Sequence, residues 1–132
     1  MSEKELSQYY YLKKEIKSLE DKIEEFGDGV GAVRIKETMI NVNPSLESIQ
    51  EKRMLLINQL IDARLTALEK YLEIERYIES VDDPEIRMIM RLRFLDLKDW
   101  YTIGEELYCN RTTVTRKLRK YIKLHKVAHN TH

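Results

Sequence analysis

The chain has 132 residues, of which 42% are hydrophobic and 35% are charged, with only 4 Gly and 2 Pro. This composition allows an apolar core and favours long helices, so we expect an all-α protein of one or two small domains. No apolar run approaches the roughly 18 residues of a membrane span, and the acidic N-terminus is unlike a signal peptide. These features exclude a membrane protein and predict a cytoplasmic one. The single cysteine, Cys109, has no intramolecular disulfide partner and is expected to be a buried structural thiol.

The formal net charge of zero conceals two opposed parts of the chain. Residues 84–126 carry 11 Lys and Arg against 5 Asp and Glu, a balance of +6. Residues 1–83 carry 12 against 18, a balance of −6. This asymmetry predicts a basic nucleic-acid surface in the second part and a different role for the acidic part.

The first predicted element is a helix over about residues 3–26. Ser2 is its expected N-cap, with Glu5 completing a capping box. Apolar residues recur at alternating spacings of three and four, as in a coiled-coil seam: Tyr9, Leu12, Ile16, Leu19, Ile23 and Phe26. Three glycines and an Asn-Pro-Ser sequence then predict a flexible loop over 27–45. Its glycines lack the spacing of a phosphate-binding loop, so we expect no nucleotide cofactor.

A second, longer helix is predicted over about residues 46–80. One face carries Ile49, Leu56, Leu60, Ala63, Ala67, Tyr71, Ile74 and Ile78, and the apolar surface is widened by Leu55, Ile61, Leu65, Leu68 and Leu72. Two amphipathic helices joined by a loop predict a long antiparallel, coiled-coil-like hairpin over residues 1–82. Because one neighbouring helix cannot cover so wide an apolar arc, we expect a homodimer formed through this hairpin.

Residues 83–126 are predicted to form a separate helical module. Asp83 is a favoured N-cap, and Pro84 suits the first helical position. Apolar residues from Ile86 to Leu95 supply the core of the first helix, and Trp100, in the following link, is expected to fill that core. Thr102 is the predicted cap of the next helix. Residues 127–132 are predicted to be a disordered tail.

The last helix of the module, predicted over 111–124, has the pattern of a DNA recognition helix. Asn110 is its expected N-cap, and Val114, Leu118 and Tyr121 or Ile122 form its apolar face. Seven basic residues and no acidic one lie between Asn110 and Lys126. Early arginines suit base edges in a major groove, and later lysines suit phosphates. The predicted DNA-binding residues are Arg111, Thr112, Thr113, Thr115, Arg116, Arg119, Lys120 and Lys123.

The run from Ile89 to Ile122 resembles the last conserved region of bacterial sigma factors, which binds the promoter −35 element. The resemblance lies in an apolar helix ending in RLRF, then I-G-E-E-L, an Asn three residues on, and R-T-T-V-x-x-x-L. The whole chain is similar to phage and prophage regulators of the RinA and ArpU late-activator type. These resemblances imply a helix-turn-helix, a transcriptional role and contact with RNA polymerase. Two positions depart from the common pattern: Gly104 stands where Ala is usual, and Tyr108 stands at the turn where Gly is usual. If Tyr108 is left-handed, a non-Gly residue there costs roughly 1 kcal/mol.

Other kinds of site have little support in the sequence. The acidic residues follow no catalytic motif, so we expect no enzyme. His125, His129 and His132 lie near the C-terminus without a Cys or carboxylate at metal-site spacing, so no metal is expected. We therefore expect a sequence-specific DNA-binding regulator. The alternatives are a small terminase subunit or other DNA-packaging protein, which assembles as a ring, and a sigma-like adaptor that binds RNA polymerase without DNA. The charge asymmetry also suggests autoinhibition of the basic helix by the acidic part.

Overall fold

A computed structural model describes residues 1–27 and 46–130, most of which are helical and none of which lies in a strand. The helices are α1 (Glu3–Leu6), α2 (Gln8–Gly27), α3 (Leu46–Glu79), α4 (Pro84–Met90), α5 (Trp100–Glu106) and α6 (Arg111–Asn130), and a π-helical segment, Arg91–Leu95, follows α4. The all-α prediction is confirmed. Over the described ranges, none of the helices combines the length and apolar composition needed to cross a bilayer.

The first predicted helix is interrupted at Ser7. The predicted cap is confirmed, since Ser2 Oγ accepts a hydrogen bond from Glu5 N at 3.1 Å. The Ser7 hydroxyl donates to the Glu3 carbonyl oxygen at 2.8 Å. A serine side chain bonded one turn back competes with regular helix geometry, which accounts for the separation of α1 from α2. The predicted loop 27–45 lies outside the described residues from position 28 onward.

The chain divides into two compact units. The middle unit is Leu12–Ala67, and the terminal unit combines Met1–Tyr11 with Leu68–His132. In the middle unit the buried apolar residues are Ile16, Ile49, Leu60 and Ala67. An ion pair joins its two helices, from Arg64 Nη2 to a Glu20 carboxylate oxygen at 3.2 Å. The antiparallel hairpin itself stays a prediction.

The core of the terminal unit crosses the predicted domain boundary at residue 82. Its fully buried side chains come from α1, from the end of α3 and from the later helices: Leu6, Ile74, Ile78, Val81, Ile89, Met90, Ile103, Val114 and Leu118. Tyr9 also packs edge-to-face on Tyr71, with ring centroids 5.2 Å apart. The module after residue 83 therefore shares one core with α1 and the last turns of α3.

The local signals around α4 are mostly as predicted. Asp83 accepts hydrogen bonds from the Glu85 and Ile86 amides at 2.9 and 3.3 Å, and Pro84 is the first helical residue. The π-helical segment after α4 was not predicted. There Asp96 N donates to Arg91 O at 2.9 Å, a bond spanning five residues that widens the helix at its end. A left-handed residue, Leu97 (φ 58°), then turns the chain towards α5.

Tyr108, at the turn between α5 and α6, adopts a left-handed conformation with φ of 55°. Its side chain is 97% exposed, so the ring contributes little packing. We expect Tyr108→Gly to raise the free energy of unfolding by about 0.5–1 kcal/mol, because glycine adopts this conformation without a Cβ clash. Urea unfolding followed by circular dichroism measures this. Tyr108→Ala is the control, since it removes the ring but keeps the strain. A glycine variant no more stable than the alanine variant would contradict the prediction.

Candidate nucleic-acid interface

The first turn of α6 is fixed by Asn110, as the sequence predicts. Its side-chain oxygen accepts a hydrogen bond from the Thr112 amide at 2.9 Å. Val114, Leu118 and Ile122 are 1%, 0% and 8% exposed, so this face of α6 is buried in the core. Burying residues four apart turns the opposite face of the helix outward. That outward face carries the basic and hydroxyl side chains.

The start of α6 lies close against α5 because residue 104 has no side chain. A Cβ added to Gly104 would lie 2.6 Å from the Cys109 carbonyl oxygen and 3.2 Å from the Arg111 amide nitrogen. The backbone also closes here, since Cys109 N donates to Gly104 O at 2.8 Å. The close approach of these backbones sets where α6 begins, and with it the position of Arg111. Gly104 is thus required by the packing of the two helices.

Five of the eight predicted DNA-binding residues line one groove together with Trp100. The groove has a volume of about 450 Å³ and is lined by Trp100, Arg111, Thr112, Thr115, Arg116 and Arg119. All three arginines are exposed. The Thr115 hydroxyl donates to the Arg111 carbonyl oxygen at 2.8 Å, which holds this side chain against the helix. An open groove with three guanidinium groups suits an anionic, extended ligand.

The other predicted residues lie outside this groove. Thr113 is half-buried, whereas Lys120 and Lys123 are exposed on later turns of α6. Two basic side chains of α6 already have carboxylate partners. Lys117 Nζ lies 2.8 Å from a Glu85 carboxylate oxygen, and this hydrogen bond and charge raise the pKa of Lys117. Arg119 lies 3.4 Å from both carboxylate oxygens of Glu3.

Trp100 is the site residue that sequence reasoning missed. The indole is half-buried against the core, as predicted, yet it also lines the groove. The Arg93 guanidinium lies 4.5 Å from the centroid of its ring. Arg93 is held in turn by donating to the Lys98 carbonyl oxygen at 3.2 Å. The signal in the sequence was that an aromatic residue precedes I-G-E-E-L. That signal was not enough to place Trp100 in the groove, because the position of its side chain depends on where α5 begins.

The predicted start of α5 is wrong by three residues. Asp99, rather than Thr102, is the N-cap, and its side chain accepts from the Thr102 amide at 2.7 Å. Hydrogen bonds from Thr102 hold the pKa of the Asp99 carboxyl below its usual value. The carboxylate is the better acceptor for the orphan amides of a first turn, so the helix begins one turn earlier. Trp100 is consequently its first residue and does not lie in a link.

The histidines and the cysteine of the module do not form a metal-binding cluster in the described part of the chain. Among those residues, no group of three His, Cys, Asp or Glu side chains is placed to hold a metal ion. His125 stacks on Tyr121, with ring centroids 3.8 Å apart. Cys109 is a free, half-buried thiol that packs against the core. The predicted disordered tail overlaps α6, which continues to Asn130, and residues 131–132 lie outside the described residues.

Residues 54–125 match the model of a family described as a protein of unknown function, DUF1492. The match covers 72 of the 132 residues, more than half of the chain. The chain belongs to the DUF1492 family. The DUF1492 match includes the whole groove, from Trp100 to Arg119, and the greater part of α3. No curated protein and no solved structure matches the chain.

Proposed function

We propose that this DUF1492 protein is a sequence-specific DNA-binding regulator of transcription, with α6 lying in the major groove. The observation that carries the proposal is the groove formed by Trp100 and the outward face of α6. That face presents three exposed arginines, and the opposite face is fixed by the buried Val114 and Leu118. A rigid helix with guanidinium groups on its first turns is the element that reads base edges in helix-turn-helix proteins.

Along α6, the side chains of the first turns suit contacts with bases, and those of the later turns suit contacts with phosphates. Arg111, Thr112 and Arg116 belong to the first two turns, where side chains reach base edges, and an arginine can donate two hydrogen bonds to guanine O6 and N7. Arg119, Lys120 and Lys123 belong to later turns and would neutralise phosphates. Trp100, at the edge of the groove, offers an apolar surface for a deoxyribose. This arrangement predicts both sequence preference and strong salt dependence.

The resemblance to sigma factors and to RinA and ArpU regulators adds the biological setting. It supports a promoter or operator as the target and RNA polymerase as a second partner. The wide apolar surface of α3 supports self-association, and a two-fold dimer would present two copies of α6 to paired half-sites. These points are parts of the same proposal and do not imply an enzyme.

Fluorescence anisotropy with labelled duplexes tests the proposed function. We expect the protein to bind DNA flanking its own gene more tightly than a random duplex of equal length, because arginines on base edges distinguish sequences. Equal affinity for the two duplexes would contradict sequence reading and favour a packaging or architectural role. A measured mass corresponding to an octamer or larger ring would favour the terminase alternative.

The contact between Glu3 and Arg119 predicts weak self-inhibition of DNA binding. The Glu3 carboxylate pairs with the Arg119 guanidinium, which would otherwise be available to bind a phosphate. Both side chains are partly exposed, at 59% for Arg119 and 38% for Glu3, so the ion pair contributes only about 0.2–1 kcal/mol. Glu3→Gln is therefore expected to tighten DNA binding by about 1.4- to 5-fold.

The matched control for this prediction is Glu15→Gln, the same change of charge on the exposed face of α2. Both variants are compared with the unmodified chain by anisotropy at low salt. The increase in DNA affinity caused by Glu3→Gln should become smaller as salt is added, because salt screens exposed ion pairs. Equal affinities of the two variants would contradict a specific role for Glu3. Deleting residues 1–44 is a poorer test, since it also removes the buried Leu6 from the core.

A further inference from the structure

Helix α3 has a second apolar face that the described residues leave exposed. All residues of the first predicted face, from Ile49 to Ile78, are buried or half-buried. The residues predicted to widen that face are exposed instead. Leu55, Ile61, Leu65 and Leu68 are 62%, 57%, 55% and 54% exposed, and Leu72 is 40% exposed. Large aliphatic side chains in such a row on one helix mark an interaction surface.

The exposed residues follow the spacing of a coiled coil. Met54, which is 56% exposed, begins a series with alternating steps of four and three: Met54, Asn58, Ile61, Leu65, Leu68 and Leu72. We call these six positions the α3 seam. Steps of four and three place every second position at heptad a and the others at d. Asn58, Leu65 and Leu72 then take a positions, and Met54, Ile61 and Leu68 take d positions.

We propose that the α3 seam binds the same seam of a second copy of this chain in a parallel, in-register, two-stranded coiled coil. The proposal rests on the self-association included in the proposed function and names its surface and orientation. It does not depend on DNA binding. Two observations, the polar residue in the seam and the charges beside it, identify a second copy as the occupant.

Asn58 is the one polar residue in the seam, and it selects the parallel orientation. In a parallel pair a positions face a positions, so the two Asn58 amides meet and hydrogen-bond to each other. In an antiparallel pair a faces d, and an alignment over the whole seam would set Asn58 against Leu68 of the second copy. That arrangement would bury an amide without a partner, which is costly. A single asparagine at an a position fixes register and strand number in this way.

The charges that flank the seam agree with the same orientation. In a parallel pair Arg64, at a g position, faces Glu69 at an e position of the second copy, so opposite charges meet. An antiparallel alignment over the whole seam would set Arg64 against Arg64 and Asp62 against Asp62. Like charges placed together disfavour that alignment. Arg64 already contacts Glu20, but its side chain is 59% exposed and a guanidinium has further donors for a second carboxylate.

Sedimentation equilibrium of the full chain without DNA tests whether the seam pairs. We expect a dimer for the unmodified protein and a monomer for Leu65→Glu and for Ile61→Glu. Both side chains are more than half exposed, so the substitutions should leave the helices of the single chain intact, which circular dichroism checks. Thr66→Glu is the matched control, because Thr66 is exposed on the same helix outside the seam, and it should remain dimeric.

Cysteine cross-linking tests the orientation. Cys109→Ser first removes the only native thiol, and Met54→Cys is then introduced, which leaves Asn58 in place. A parallel, in-register pair brings the two copies of residue 54 within disulfide reach, so oxidation should give a covalent dimer, whereas Thr66→Cys in the same background should not.

Each other outcome overturns the proposal. A monomeric unmodified chain, or a ring assembly, would contradict the two-stranded pairing. A dimer that survives Leu65→Glu would place the interface elsewhere. A dimer in which Met54→Cys fails to cross-link would contradict the parallel register. Because mass and cross-linking are measured without DNA, a failure here is distinct from a failure of the proposed DNA binding.

Discussion

Replacing Arg111 and Arg116 together by alanine is expected to weaken binding to a cognate duplex by at least about 30-fold. A bidentate arginine–base contact contributes about 1–3 kcal/mol of discrimination, so two such contacts give at least about 2 kcal/mol. The loss should be larger for the preferred duplex than for a random one, because base contacts carry the preference. Fluorescence anisotropy at constant salt gives both affinities.

The control for this double variant is Lys52→Ala with Arg53→Ala, which removes the same charge from exposed positions on α3. Folding is not expected to suffer in either case, since Arg111 and Arg116 are exposed. If both double variants lost affinity equally, overall charge rather than the face of α6 would explain binding. An unchanged affinity after loss of both arginines would contradict the major-groove assignment.

Gly104→Ala is expected to lower the free energy of unfolding of the terminal unit by about 1–3 kcal/mol, as overpacking of a close contact does. On an open helix surface the same change would stabilise by about 0.5–1 kcal/mol, so the sign of the effect is diagnostic. The new Cβ would lie 2.6 Å from the Cys109 carbonyl oxygen, and backbone must move to accommodate it. Arg111 would move with it, so DNA affinity should also fall.

Urea unfolding measures the stability of this variant, and anisotropy under folding conditions measures its DNA affinity. Glu105→Ala is the matched control, because it changes the next residue of α5 at an exposed position. If Gly104→Ala were as stable as the unmodified chain, α5 and α6 would be able to move apart without lowering the free energy of unfolding. The close approach would then not be what fixes the start of α6.

The features that the sequence predicts well depend on neighbouring residues along the chain. Ser2, Asp83 and Asn110 cap their helices as expected, since a cap needs only a side chain and an amide two or three positions away. The buried face of α6 follows from spacing alone. The left-handed conformation of Tyr108 explains why the common pattern has Gly at this turn, but the sequence alone left that conformation open.

The features that the sequence did not predict depend on residues distant along the chain or on competition between local signals. The Glu3–Arg119 contact joins positions 116 residues apart, and no local pattern connects them. Predicting that Trp100 lines the groove requires knowing where α5 begins. Both Asp99 and Thr102 can cap a helix, and in the structure Asp99 is the cap. Gly104 was visible only as a departure from a pattern, and its reason is the backbone of the following turn.

The salt dependence of duplex binding tests the central claim, that the outward face of α6 binds DNA, most directly. If Arg119, Lys120 and Lys123 each neutralise a phosphate, the logarithm of the association constant should fall against the logarithm of salt concentration with a slope of about −3. Arg119→Ala should reduce that slope by about one. A slope of this size that responds to Arg119 supports the account, whereas no binding to duplex DNA at low salt would contradict it.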